Sequence, residues 1–355
     1  MELMFSYEKR ASGKQFLGRC EDVSLLRQKI LDGRHVALYS PPKAGKSSLI
    51  EQTVMQMKGA CSVALCEIDA SNVIILEDFL RRFHSAFGDW LPAGQDGWIP
   101  ATDVTQEECR RLLGAPARIF APSPRAQKLV IVIHEFQRLD SLDGSQVLMR
   151  AFREVFRETS GSAVTYLLTG SQLNAMKELF VKSPFFGSDI FPMSLSPLSE
   201  TDIYNYVRSR LDMTGKVMER SYIDEVIRTF GGDNIWYIKH FMALCDSLTR
   251  GYVNPPVIKE AMLGLISSQM PWFNYIVSNL SCFQLRFLKA LIDKGPQCNF
   301  SSSAVLRDYA LNSSANVARV RQALLKKEII SYEKARGWYI IDPLFRYWLE
   351  KYFFK

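Results

Sequence analysis

His35-Val36-Ala37-Leu38-Tyr39-Ser40-Pro41-Pro42-Lys43-Ala44-Gly45-Lys46-Ser47-Ser48 is the stretch that decides how this 355-residue chain is read. Its first five residues are a short apolar run behind Gly33-Arg34 and ahead of Ser-Pro-Pro, which reads as a buried strand. From Gly45 onward, Leu49, Ile50, Val54 and Met55 fall on one face of a helix. The loop between strand and helix ends in Gly-Lys-Ser. In that context backbone N–H groups and the positive end of the helix surround a polyphosphate. Lys46 reaches the β- and γ-phosphates and the Ser47 hydroxyl ligates Mg²⁺. The candidate binding residues are therefore Pro41, Pro42, Lys43, Ala44, Gly45, Lys46, Ser47 and Ser48, with Ser47 as the metal ligand. Ser40 stands where such loops usually begin with glycine.

Working outward, a second strand is predicted over residues 63–68, followed by an amphipathic helix carrying Phe79, Leu80, Phe83 and Phe87. Residues 91–125 are rich in Pro, Gly and Ala, with one helix near 107–113, and read as a surface insertion. Residues 129–133, Leu-Val-Ile-Val-Ile, are continuously apolar, as parallel strands are when both faces are covered. A helix over 146–158 and a strand over 163–168 follow, and Pro192, Ser196 and Pro197 close the section. Strands alternating with helices predict an α/β fold with a parallel sheet. Beyond Ser199 the apolar spacing turns helical over 203–211, 222–230 and 236–248. From Cys282, three short helices (283–292, 304–309, 317–326) precede a hairpin of 329–333 with 338–341 around Gly337, then a closing helix over 343–353. That order is a winged helix. The expected divisions are a core over 1–197, a helical lid over 198–275 and the winged helix over 276–355.

The run 129–133 ends in His134-Glu135, an apolar strand with polar residues at its tip, which resembles the Walker B element of P-loop ATPases. An Asp normally precedes the Glu and helps to hold Mg²⁺; here His134 takes that place. A neutral imidazole is a poor partner for an oxygen-preferring ion, and a protonated one repels it. Glu135 keeps the position of a water-activating base, the candidate catalytic residue, and reads otherwise as a solvated strand-end carboxylate.

Further landmarks stand in order. Phe16-Leu17-Gly18-Arg19 with Glu21 resembles the box that precedes the phosphate loop in archaeal-type AAA+ ATPases of the STAND group. Glu135-Phe136-Gln137-Arg138-Leu139 matches that group's extension after Walker B, and Thr169-Gly170-Ser171 resembles its sensor-1 segment. Ser183-Pro184-Phe185-Phe186-Gly187-Ser188 and Phe230-Gly231-Gly232-Asp233-Asn234-Ile235-Trp236-Tyr237 resemble its S-P-L-Y-G-R and lid motifs. The resemblance implies a P-loop AAA+ core with ATP or ADP as cofactor and ATP-driven switching, adds Gly18 and Arg19 to the binding residues, and makes Ser171 the sensor. The departures concern hydrolysis more than binding. Ser188 replaces an arginine that acts on the γ-phosphate in such families, and Asn234 replaces the lid proline. Three functions follow: a nucleotide-dependent switch with impaired hydrolysis, an active STAND-type ATPase, and a DNA-binding winged-helix regulator on a degenerate ATPase core.

Arg319, Arg321, Lys326, Lys327, Lys334 and Arg336 on the third helix and wing fit a DNA-contacting face, diluted by Asp308, Glu328 and Glu333; a protein-docking module is the other reading. The net charge of +7 is compatible with an acidic partner and does not require one. No apolar run is long enough to span a bilayer, and Met1 to Arg10 lack an apolar export segment, so a cytoplasmic protein is expected. Seven scattered cysteines without a CxxC pair read as reduced thiols.

Overall fold

The computed structural model describes residues 4–58, 61–87, 104–122, 127–183 and 185–355. Two compact units emerge: residues 19–42 with 46–196, and residues 1–18, 43–45 and 197–355.

The first of these is a sheet unit. Helix α1 (Cys20–Leu31) leads into β1 (His35–Tyr39), and α2 (Lys46–Met57) into β2 (Val63–Asp69). Helices α3 (Leu76–Ser85), α4 (Gln106–Leu113) and α5 (Ala115–Ile119) precede β3 (Lys128–His134), and α6 (Gln137–Asp140) and α7 (Ser145–Thr159) precede β4 (Val164–Gly170). Helix α8 (Leu173–Lys177) and strand β5 (Ile190–Ser194) complete it. The five strands are parallel in the order β2-β3-β4-β1-β5. β1 and β4 are buried along their whole length, and β3 from Leu129 to Ile133, because helices cover both faces of a parallel sheet. The alternation read from sequence is thus the architecture found.

Three expectations change. Met55 is exposed, and Met57 joins Leu49, Ile50 and Val54 on the buried face of α2 instead. The sequence reading has no fifth strand, because Pro192 interrupts the apolar pattern; β5 is an edge strand that, among the described residues, pairs with β1 alone, where a proline is tolerated. The helix near 107–113 does not belong to a surface insertion. α4 is fastened by a Thr105–Glu108 capping box and buries Cys109 and Leu113, four residues apart, while Gln106 and Arg110 hydrogen-bond Glu154 (2.8 Å) and Glu158 (2.7 Å) of α7. Residues 91–103 and 123–125 of that stretch lie outside the described residues.

His35 shows how the sheet fixes a polar group inside. Its Nδ1 accepts the Tyr166 amide (3.0 Å) and its Nε2 faces the Phe156 carbonyl (3.1 Å), which sets the Nε2–H tautomer. Burial pulls its pKa from 6.5 to about 4, so the ring is neutral at physiological pH.

The second unit is mostly helical. It contains α9 (Glu200–Met213), β6 (Val217–Met218), α10 (Arg220–Phe230), α11 (Ile235–Leu248), β7 (Tyr252–Val253) and the 24-residue α12 (Pro255–Ser278). Then come α13 (Cys282–Lys294), α14 (Ser303–Asp308), α15 (Ser314–Lys326), the antiparallel pair β8 (Ile330–Glu333) and β9 (Gly337–Ile340), and α16 (Pro343–Trp348). Helix, helix, helix and wing is the winged-helix order. Gly337 opens β9 rather than forming the turn; its φ of 81° and the Pro296 carbonyl, 2.4 Å from where a Cβ would stand, both demand glycine. The α12 helix escaped the sequence reading because it starts at Pro255-Pro256 and carries Pro271 inside. One continuous apolar core runs from Ile203 through Phe241, Phe273 and Phe287 to Trp348. Among the described residues, no helix is long and apolar enough to cross a membrane.

Candidate functional site

The carboxyl ends of β1, β4 and β3 lie side by side in that order, so the segments following them share one edge of the sheet. Backbone bonds lock these ends together: Ser40 N–H donates to the Gly170 carbonyl (3.4 Å) and Phe136 N–H to the Thr169 carbonyl (2.9 Å). β4 separates the other two strands, which puts Thr169-Gly170-Ser171 within reach of both.

The loop after β1 is shaped by left-handed backbone at Lys43 (φ 63°) and Gly45 (φ 105°). The second is accessible in practice only to glycine, and the first is strained for a lysine. Such alternation turns successive N–H groups into an anion-binding concavity. Lys46, the first residue of α2, folds back over the loop and donates to the carbonyls of Ser40 (2.8 Å) and Pro41 (3.1 Å) and to Ser40 Oγ (3.4 Å). Burial draws its pKa down to about 8, opposed by the charge of Glu135. Ser40 is buried and is not among the positive-φ residues, so its backbone needs no glycine, and its hydroxyl gives Lys46 an extra acceptor. Ser47 and Ser48 follow half-buried in the first turn of α2, and Ala44 is buried.

Glu135 sits just past β3 in a left-handed turn (φ 54°). Its Oε2 accepts from Ser171 Oγ at 2.5 Å and from Gln137 Nε2 at 2.7 Å. Ser171, the expected sensor, and Glu135, the candidate base, are therefore brought together. His134 has other partners: its Nδ1 meets Thr169 Oγ1 (3.1 Å) and its Nε2 meets Glu67 Oε1 (3.3 Å). With both ring nitrogens engaged, His134 has no lone pair to offer a metal ion or its waters. Of the two residues expected near a Mg²⁺ ion, Ser47 and His134, Ser47 alone offers an oxygen, so an ion there would depend on Ser47 and on oxygens from outside the chain.

Gly18 and Arg19 are placed by local structure. Gly18 (φ 57°) leaves room for Leu198, whose Cδ2 would lie 2.7 Å from an added Cβ. Arg19 precedes α1 in left-handed conformation and forms a buried ion pair with Asp22 (3.5 Å), which also accepts from Ser196 N (3.1 Å) and Oγ (2.9 Å). At Ser188, Arg34 donates to the backbone carbonyl at 3.0 Å. Pro184 of the same motif lies outside the described residues.

Sequence reasoning missed the partners of these groups. Thr169 and Glu67 are ordinary polar residues whose meaning comes from strand register, and Gln137 gains its own from the turn at Glu135; Asp69 pairs with His134 across β2 and β3, which sets Glu67 on the same face of its strand as Asp69. Within the second unit, Lys43 lies 3.7 Å over the Trp236 ring, and its pKa is lowered by burial against the opposing charge of Asp342. Asp342 in turn accepts from Tyr237 OH (2.7 Å) and from the amides of Leu344 (2.9 Å) and Phe345 (3.0 Å). In the winged helix, Arg336 pairs with Asp233 (2.8 Å), Arg321 lies over Trp338 (5.1 Å), and Lys327 donates to the Asn279 carbonyl. Arg319, Lys326 and Lys334 are exposed.

Comparison with known proteins follows the same division. The family model described as "Probable winged helix domain" matches residues 271–351. Comparison with curated proteins gives no match. Among solved structures, the chain is similar to a Walker-type ATPase of Pyrococcus abyssi, with 15% identity and a TM-score of 0.72 over 98% of this chain and 99% of that one. It is also similar to the Aeropyrum pernix ORC2 protein, solved as ADPNP–ADP complexes (14% identity, TM-score 0.59, 96% and 93% covered). The Aeropyrum pernix ORC1 protein in complex with DNA follows (13%, 0.52, 95% and 93%). At such identities the likeness is one of fold: a parallel-sheet AAA+ core with a C-terminal winged helix.

Proposed function

We propose that this chain binds ATP or ADP in the loop 40–48 and acts as a nucleotide-dependent switch whose hydrolysis is slow. The observation that carries the reading is Lys46. Its ammonium is turned back on a strand–loop–helix turn and, among the described residues, is hydrogen-bonded by loop oxygens alone, with the charge of Glu135 opposing the effect of its burial. Phosphate oxygens would replace those carbonyls with charged acceptors. Ser47 and the nucleotide would hold Mg²⁺, which would neutralise charge on the phosphates. Pro41 through Ser48 form the cradle, Gly18 and Arg19 are further binding residues by the resemblance, Ser171 senses, and Glu135 orients water. The motif order supports membership of the STAND group, divided into core (1–197), lid (198–275) and winged helix (276–355). Lys43 offers the link to the switch, since it engages Trp236 of the lid and feels Asp342 beside α16. Slow hydrolysis follows from the engaged nitrogens of His134 and from the serine at position 188. The test is to denature purified protein and identify the released nucleotide, then to follow a single turnover. No bound adenine nucleotide and no affinity in calorimetry would sink the reading; rapid turnover would favour an active ATPase.

A DNA-contacting winged helix is the second reading, favoured by exposed Arg319, Lys326 and Lys334 and by the DNA complex of the ORC1 relative. It requires salt-sensitive DNA binding, and binding indifferent to nucleotide would make the sheet unit a scaffold.

A further inference from the structure

Gln137 has no assigned part in the site, yet two unfavourable features of the fold meet at it. Glu135 is held in left-handed backbone (φ 54°), a conformation a glutamate resists. This turn lets Gln137, the first residue of α6, place its amide on the carboxylate two residues earlier (2.7 Å). Gln137 is only 5% exposed, and its Oε1 is buried without a hydrogen-bond partner among the described residues. Turning the amide over would set its oxygen against a carboxylate oxygen, so the orientation is fixed by Glu135. A buried glutamine with an unsatisfied oxygen is a liability that stability alone does not explain. Gly170 makes the placement possible, because a Cβ there would stand 2.5 Å from Gln137 Oε1 and 2.4 Å from Met176 Cγ.

The hydrogen bonds are also one-sided. Gln137 and Ser171 both donate to Oε2 of Glu135, and among the described residues no hydrogen bond reaches Oε1. We propose that Gln137 is a positioning residue: with Ser171 it occupies one oxygen of Glu135 and so aims the other at the attacking water. This rests on the nucleotide reading above and assigns how its candidate base is held.

Replacing the amide by an apolar chain of equal length, Gln137→Met, tests it. Single-turnover ATP hydrolysis is expected to fall at least tenfold, while ATP affinity by calorimetry stays within twofold and the melting temperature is unchanged or higher. A merely structural glutamine would lower the melting temperature when removed. In the Glu135→Gln background the same substitution should have no further effect, since Gln137 acts through the carboxylate. A second variant, Gly170→Ala, should reproduce the loss of rate by displacing Gln137. An undiminished rate in Gln137→Met, or an equal loss on top of Glu135→Gln, overturns the proposal. A wild type that binds ATP without any turnover overturns it while leaving the nucleotide reading intact. A wild type that binds no ATP removes both.

Discussion

The strand ends of the sheet unit and the face of the winged helix both collect charged residues, and they treat them differently. At the ends of β1, β3 and β4, Lys46, Glu135 and His134 are fixed by short bonds to neighbours whose backbones are locked in parallel register. On the winged helix, Arg336 and Arg321 are taken up by Asp233 and Trp338, while Arg319, Lys326 and Lys334 reach into water. Fully buried strands hold a polar side chain to one geometry, whereas a solvated helix face leaves long side chains free. Chemistry that depends on placement belongs at the former, and attraction that depends only on charge at the latter.

The largest expected effect tests the sheet side. Lys46→Ala should weaken ATP binding about a thousandfold, roughly 4 kcal/mol, with the fold intact by circular dichroism. Undiminished affinity in calorimetry would remove the site from loop 40–48. In the wild type, bound phosphate would favour the charged form of a lysine whose pKa burial draws down to about 8. Affinity should therefore fall as pH rises past 8, by up to about tenfold per unit, with proton uptake visible as buffer-dependent heat.

His35 gives the next largest effect. Its folded pKa, about 4, lies below the ordinary 6.5, so between these values the unfolded chain binds the extra proton. Its contribution is complete above pH 6.5 and is lost as pH falls toward 4, amounting to about 3 kcal/mol. Urea unfolding across this window should be steeper in pH for wild type than for His35→Gln. Parallel curves would show that the ring is not held neutral.

A smaller effect is expected at His134. His134→Asp should raise the single-turnover rate about tenfold, provided Glu67 no longer crowds the new carboxylate, so the gain should be greater with Glu67→Gln added. No gain in either variant would show that the imidazole does not limit hydrolysis.

The smallest effect lies on the winged helix. If it contacts DNA, Arg319→Ala should lower affinity a fewfold and flatten the salt dependence by about one unit of slope. An unchanged slope would assign this face to a protein partner.

Position along the chain was enough to reveal much of the fold. The run 129–133 could only be a buried strand, and Gly-Lys-Ser between strand and helix marked the loop, because periodicity and turn chemistry are local properties. The winged helix was legible for the same reason. What stayed hidden depends on neighbours distant in sequence. β5 emerged only beside β1, the helix over 106–113 became core only against α7, and Met55 yielded to Met57 once the sheet chose a face of α2. His134 looked in sequence like a lost aspartate; tertiary structure shows a residue bonded between Thr169 and Glu67 from adjoining strands. Ser171 joined Gln137 on Glu135 because β4 lies beside β3, an order no local pattern encodes. The sequence by itself determined strands β1 to β4, the phosphate-loop turn and the order of the winged helix, though not β5 or α12, since short-range sterics and solvation decide local elements where no proline interrupts the pattern. Only the packed sheet decided which side chains share an oxygen, since hydrogen bonds act over about 3 Å and strand register alone brings residues 35 apart to that distance.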